Sequence, residues 1–171
     1  MIVRVPSDAL VVLIGPSGSG KSTFASARFA ATEILSSDQL RAMVADDAGD
    51  QSATEAAFEL LHTALAMRLA RRRLTVVDAT SVEGWARERL LAVARRLRRP
   101  AAAIVFDLPL ETCIERNLAR TDRQLPPAAI RRQHRLMRAS LDALASEGFA
   151  PIVILSTPEA VESLTVERAL P

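Results

Sequence analysis

Gly15-Pro16-Ser17-Gly18-Ser19-Gly20-Lys21-Ser22 sets glycines, a lysine and a hydroxyl in the order Gly, four residues, Gly-Lys-Ser. That spacing suits the holding of phosphate. Glycines at 15, 18 and 20 admit backbone conformations that a Cβ opposes, so successive N–H groups can turn into one concavity. The apolar run Leu10 to Ile14 precedes the loop and the helix-like Thr23 to Phe29 follows it, the context the motif requires. The helix adds its positive end. Lys21 then reaches the β- and γ-phosphates of a nucleoside triphosphate, and the Ser22 hydroxyl ligates a bridging Mg²⁺ or Mn²⁺. Gly15, Ser17, Gly18, Ser19, Gly20, Lys21, Ser22 and Thr23 form the expected phosphate-binding set. Lys21 is the only lysine in the chain, every other cationic side chain of the Lys/Arg class being arginine; a compact ammonium stands where a phosphate cradle needs one.

Three further places carry chemistry-bearing side chains. Asp38 and Arg41 are three residues apart, hence on one face of a helix. There the carboxylate suits proton abstraction from an attacking hydroxyl and the guanidinium suits an acceptor phosphate. A helix cap and a surface cation fit the same local sequence equally well. Asp78 ends the apolar Thr-Val-Val-Asp, where an acid beside a phosphate loop holds the metal directly or through water; a strand-end cap is the plainer alternative. Arg116 and Arg120 share a helical face and Arg123 follows before Pro126-Pro127, which suits a lid closing over the transferring phosphate. Arginines on a solvated face would have the same pattern.

These residues need a scaffold, and the hydrophobic pattern specifies one. Apolar strands are expected at Leu10 to Ile14, Thr32 to Leu35, Thr75 to Asp78, Ala103 to Asp107 and Ile152 to Leu155. Helices are expected at Gln39 to Val44 after the caps Ser36, Ser37 and Asp38, at Ala53 to Arg73, at Val82 to Arg98 closed by Pro100, and at Leu110 to Arg120. A further helix runs from Pro126-Pro127 to just before Gly148, and a short one covers Glu159 to Leu164. The buried stripe of the second helix is Ala57, Leu60, Leu61, Ala64 and Leu65. Strands alternating with helices give an α/β fold of three layers, a parallel sheet of about five strands flanked by helices, with chemistry at the strands' carboxyl ends.

Composition sets bounds on this picture. The chain has 171 residues, 49% hydrophobic and 25% charged, with net charge +2. That fits one domain over 1–171 with an ordinary core and argues only weakly for a polyanionic partner. No apolar run approaches a membrane span, the amino terminus lacks a signal-peptide layout, and the lone Cys113 excludes an internal disulfide. The cytoplasm is the expected compartment. Cys113 and Trp85 are expected in or near the core. The arginines at 71–73 and 95–99 end helices, where cations complement the dipole. Arg131, Arg132, Arg135 and Arg138 fit a solvated face at least as well as a nucleic-acid contact.

The phosphate loop, Ile-Leu-Ser-Ser-Asp-Gln-Leu-Arg, Leu-Thr-Val-Val-Asp-Ala-Thr and Glu-Arg-Asn-Leu-Ala-Arg-Thr-Asp-Arg-Gln together resemble the amino-terminal kinase domain of the bacterial polynucleotide kinase-phosphatase family, which serves RNA repair. The resemblance implies an adenylate-kinase-like P-loop kinase fold and transfer of the γ-phosphate of ATP, or another nucleoside triphosphate, to the 5′-hydroxyl end of RNA or DNA. It implies Asp38 as general base and Arg41 on the acceptor end. Lys21, Arg116 and Arg120 would lie on the donor phosphates with Arg123 a weaker match, and Ser22 at the metal. It also implies phosphatase and ligase-like domains in a longer parent chain. Two other classes share the loop: a kinase acting on a small metabolite hydroxyl, which uses the same base and lid, and a nucleotide-dependent binding module, which needs no base at Asp38.

Overall fold

Every residue of Leu10–Ile14, Thr75–Asp78 and Ala101–Phe106 is buried, as strands covered on both faces must be. The computed structural model describes residues 1–121 and 123–170. Its elements are β1 (Ile2–Pro6), β2 (Leu10–Ile14), α1 (Lys21–Arg28), β3 (Ile34–Ser36), α2 (Ser37–Ala45), α3 (Thr54–Ala70), β4 (Thr75–Asp78), α4 (Gly84–Arg96), β5 (Ala101–Phe106), α5 (Leu110–Leu118), α6 (Pro127–Ser140), α7 (Leu144–Glu147), β6 (Ile152–Leu155), α8 (Pro158–Ser163) and β7 (Thr165–Ala169).

The central sheet is five-stranded in the order β3-β4-β2-β5-β6, and every pairing in it is parallel. The period-2 geometry of a strand divides β2 between two cores. Leu10, Val12 and Ile14 pack with α3, α4, Met137 of α6 and Leu144 of α7. Val11 and Leu13 pack with Phe24 and Ala25 of α1, with Val3 and Val5 of β1, and with Leu164. Helices therefore cover both faces of the sheet, the expected three layers.

The register delivers the site. Leu13 of β2 pairs with Asp78 of β4, and Asp78 pairs with Ser36 of β3. The strand ends are thus level, and the loop after β2, the end of β4 and the start of α2 open side by side at one edge. Ser36 caps α2 by accepting a hydrogen bond from the Gln39 backbone N–H at 3.4 Å, which fixes where Asp38 leaves the helix's first turn.

Some elements differ from expectation. The residues before Ile34 form a short 3₁₀ turn rather than strand. The helix after Pro126 breaks at Ser140 into a 3₁₀ turn and α7. Leu60 of α3 is 42% exposed, so the buried stripe is Ala57, Leu61, Leu65 and Leu69. The chain's two ends, absent from the expected strands, pair in parallel as β1 with β7, from Ile2 against Thr165 to Pro6 against Ala169. Trp85, expected in the core, is 64% exposed. The largest fully buried side chain of α4 is Arg87 instead, which donates to Glu147 of α7 through Nε (2.7 Å) and one terminal nitrogen (2.6 Å), and to the Ser81 carbonyl at 3.0 Å. A bidentate pair of this kind tolerates burial because each of the three guanidinium nitrogens has an acceptor.

Candidate active site

The phosphate loop is held from three sides. The Gly15 N–H donates to the Thr80 carbonyl at 3.0 Å, and the Ser17 N–H donates to Oε1 of Gln133 on α6 at 2.9 Å. At the third side, Gly18 has φ +81°, and a Cβ on it would stand 2.1 Å from the carbonyl oxygen of Cys113 on α5. Gly20, at φ +92°, is the N-cap of α1. These left-handed conformations are the ones a side chain resists.

The ammonium of Lys21, the first residue of α1, donates to the carbonyl oxygens of Gly15 and Pro16, each at 2.8 Å, with Ser19 Oγ at 3.4 Å. Burial lowers its pKa to about 8, against the pull of Asp78 and Asp38 in the opposite direction. The sign has a consequence. Between about pH 8 and the ordinary lysine value of 10.5, the unfolded chain carries a proton that the folded chain has released, so this group makes stability rise with pH across that window. A bound phosphate reverses the preference by favouring the charged amine. Nucleotide binding at pH 9 is therefore expected to take up close to one proton, and affinity to fall as pH rises above 8. Calorimetry of ATP binding at pH 9 in two buffers of different ionisation heat measures the uptake. Identical heats would mean that the amine is already charged before the nucleotide binds, so that burial does not lower its pKa as described.

A cleft of about 850 Å³ opens in front of the loop, lined among others by Ser17, Gly18, Gly20, Lys21, Ser22, Thr23, Asp38, Arg41, Asp78, Arg116, Arg120 and Arg123. Gly15 and Ser19 lie behind it, where they serve Lys21. All of the other candidate residues meet in this single space. The Asp38 carboxylate is the hub of its far wall. It accepts hydrogen bonds from Arg41 and, at 2.6 Å, from Arg123, and Arg120 stands 3.9 Å away. Arg41 is buried, which lowers its pKa, and its Nε donates to the Ala48 carbonyl at 2.9 Å. Arg116 lies on the loop side, its guanidinium 3.5 Å from where a Cβ on Gly20 would stand. The resemblance ranked Arg123 below Arg116 and Arg120, yet Arg123 makes the shorter contact with Asp38.

Ser22 and Asp78 offer a hydroxyl and a carboxylate at one edge of the same cleft. These are hard oxygen donors that suit Mg²⁺ or Mn²⁺ shared with phosphate oxygens, so the residues fit the implied metal.

Several contributors were assigned no role from the sequence. Asn117 of α5 is fully buried; its Nδ2 donates to the Leu125 carbonyl at 2.8 Å and its Oδ1 accepts from the Leu125 N–H at 3.1 Å. It thereby closes the loop that carries Arg120 and Arg123. Gln133, which steadies Ser17, and Gln51, Thr54 and Phe58 on the α2–α3 side were equally invisible, as were Phe24, Arg28, Pro158 and Glu162 at the opposite end. Thr54 Oγ1 is buried without a hydrogen-bond partner among the described residues. No sequence signal distinguishes these residues from ordinary helix surface; only the cleft does.

Residues 10–144 match the AAA domain family, and the chain belongs to it. Within that family its fold is the kinase type of P-loop domain. A chain of the Pnkp1/Rnl/Hen1 RNA repair complex superposes with TM-score 0.68 at 24% identity, over 83% of this chain and 47% of that one. A chain of the AvrRxo1-ORF1:AvrRxo1-ORF2 complex gives 0.71 at 15%, over 88% and 55%. A gluconokinase from Sinorhizobium meliloti 1021 gives 0.56 at 21%, over 92% and 90%. The chain thus spans about half the length of the first two. At these identities the likeness shows the fold. No curated protein matches the chain. Among the described residues no helix is long and apolar enough to cross a membrane.

Proposed function

We propose that the protein transfers the γ-phosphate of ATP or another nucleoside triphosphate to the 5′-hydroxyl end of RNA or DNA, as a step in nucleic-acid end repair. The observation that carries the kinase chemistry is the Asp38 carboxylate facing the Lys21 loop across one cleft, with Arg41, Arg120 and Arg123 around it. A pure binding module has no use for a carboxylate in that place. The choice of a polynucleotide is supported by the sequence resemblance and by the likeness to a chain of an RNA repair complex.

In this reading the loop amides and Lys21 hold the β- and γ-phosphates, and Asp38 takes the proton of the acceptor hydroxyl. The acceptor oxygen forms its bond to the γ-phosphorus as the bond to the β–γ bridging oxygen breaks, and ADP leaves. Arg116, Arg120 and Arg123 neutralise charge on the transferring group. The donor phosphates outbid the single Asp38 carboxylate for Arg120 and Arg123, so donor binding also uncovers the base. Ser22 and Asp78 would hold the divalent cation, which supplies further neutralisation of the phosphate charge. Arg41, buried and tied to Ala48, is placed for the acceptor's first phosphate.

The test is label transfer from γ-labelled ATP with Mg²⁺ to matched oligonucleotides ending in a 5′-hydroxyl or a 5′-phosphate. Label on the 5′-hydroxyl strand alone, lost in Lys21→Ala, is the expected result. A folded protein that binds ATP and labels neither strand overturns it. That outcome favours a metabolite kinase, the reading supported by the gluconokinase likeness over 90% or more of both chains.

A further inference from the structure

We infer that the first turn of α4 and the outer face of α6 form a single-strand track, with Trp85 as a stacking platform and Arg89, Arg131, Arg132 and Arg135 as phosphate contacts. This rests on the polynucleotide reading above and names the part of the substrate beyond the reacting nucleotide.

The exposure of Trp85 is the starting point. An indole that is 64% exposed forgoes the burial that most tryptophans gain. Its position is also fixed rather than loose. Its Nε1–H donates to one oxygen of Glu83 while Arg132 of α6 donates to the other at 2.9 Å, so one carboxylate ties the indole to a guanidinium. Beneath them the fully buried Arg87 fastens α4 to Glu147 and to the Ser81 carbonyl. The indole is therefore tethered while the residue stays largely exposed, as a base-stacking surface requires.

The charge around it is complementary to a phosphodiester chain. Arg89 follows Trp85 by one helical turn and is exposed. On α6 the buried residues are Ile130 and Met137. At 100° per residue this sends Arg131, Arg132 and Arg135 to the opposite side, where all are exposed. The carboxylates nearby are occupied, Glu83 as described and Glu88 by Arg95. The strip also adjoins the cleft. Thr80, five residues before Trp85, lines the cleft and accepts from Gly15; Gln133, one residue round α6 from Arg132, lines it and holds Ser17, while Arg131 and Arg135 follow beyond Arg132 on the outer face. A strand whose 5′ end sits at Asp38 leaves the cleft over this rim. An arginine row alone fits any polyanion; an immobilised aromatic face beside it selects one with bases.

Trp85 is the only tryptophan and the chain has no tyrosine, so intrinsic indole fluorescence reports this site alone. The experiment titrates the protein with a single-stranded 5′-hydroxyl oligonucleotide of about ten nucleotides and, separately, with a nucleoside 3′-phosphate, and measures KM for both as acceptors. The oligonucleotide is expected to quench the indole in a saturable, salt-sensitive manner, and the nucleoside 3′-phosphate to leave it unchanged. Trp85→Ala should raise KM for the oligonucleotide about 5- to 100-fold, the range typical of a lost base–aromatic stack. Its KM for the nucleoside 3′-phosphate and for ATP should stay at the wild-type values, and Trp85→Phe should restore most of the loss. Arg135→Gln should flatten the salt dependence of oligonucleotide binding by roughly one phosphate contact. If the oligonucleotide is phosphorylated while the fluorescence and the variants' KM values stay unchanged, the track is wrong and the kinase reading stands. Quenching without phosphorylation retains the track and removes the acceptor chemistry. Neither quenching nor phosphorylation overturns both.

Discussion

Asp38→Asn is expected to slow phosphoryl transfer by about 10²- to 10⁴-fold, the usual worth of a positioned general base, while binding the nucleotide more tightly than the native chain. The two effects have separate causes. Asparagine keeps the shape of the side chain and a hydrogen-bonding oxygen but cannot take the acceptor's proton, so the chemical step loses its base. It also removes the negative charge that engages Arg41, Arg123 and Arg120. Arg120 and Arg123 belong to the segment expected to reach the donor phosphates, and the native carboxylate competes for them. That carboxylate is about one-third exposed, its side chain 33% accessible, so solvent already screens the competition. The interaction belongs with modest ion pairs of about 0.2–1 kcal/mol, and an ATP dissociation constant lower by about 1.4- to fivefold is the corresponding gain. Single-turnover rates and equilibrium nucleotide binding measure the two effects independently. Near-native turnover would mean that the proton leaves by another route. Weakened nucleotide binding would mean that Asp38 supports the lid arginines rather than competing for them.

The same cluster shows which parts of the site could be read from sequence. The phosphate loop was legible because its function is local: consecutive backbone amides must face one way, and glycines at set spacings are the only means. β2 and β4 were legible because burial on both faces leaves an unbroken apolar run, and the Ser36 cap was legible because its partner lies three residues away. That Asp38, Arg41, Asp78 and the arginines 116, 120 and 123 would meet depended on the strand order, in which β4 lies between β2 and β3; the alternating βα pattern indicates the end of the sheet at which they gather but not that order. The contact between Arg123 and Asp38 spans 85 residues and has no local trace.

Other features were out of reach for the same reason. β1 and β7 are as long as β2, but Arg4, Glu167 and Arg168 interrupt their apolar runs, and each acquires a partner only when the two ends of the chain meet. Arg87 and Trp85 sit two residues apart with burial opposite to what hydrophobicity assigns. The explanation is Glu147, sixty positions from Arg87, which gives the guanidinium a bidentate acceptor inside while the indole keeps the surface. Asn117 and Gln133 matter because of the backbone groups that they satisfy, and side chains of that kind are common in any helix. Long-range pairing of this sort is what a one-dimensional pattern cannot carry.

Gly18→Ala is expected to destabilise the fold by about 2–5 kcal/mol and to abolish nucleotide binding. About 1–2 kcal/mol comes from forcing a side chain into left-handed backbone at φ +81°, and about 1–3 from overpacking. The overpacking is severe in kind, because the added Cβ would stand 2.1 Å from the Cys113 carbonyl and 3.2 Å from the Asn117 backbone nitrogen, both of which are main chain of α5. Main chain cannot rotate aside as a side-chain tip can, so either the loop lifts or α5 shifts. The first opens the amide cradle of the loop; the second displaces Arg116 and the Asn117 clasp on Leu125 that closes the loop carrying Arg120 and Arg123. Gly148 isolates the conformational part, since it sits at φ +108° with nothing within 4 Å of an added Cβ. Gly148→Ala should therefore cost only the left-handed strain and leave nucleotide binding at its native value. In thermal unfolding, Gly18→Ala should fall roughly 5–20 °C and Gly148→Ala only a few degrees, by the usual conversion for a domain of this size. If the two fell equally, the close approach of the phosphate loop to α5 would carry no energetic weight, and the coupling of loop to lid through that contact would have to be abandoned.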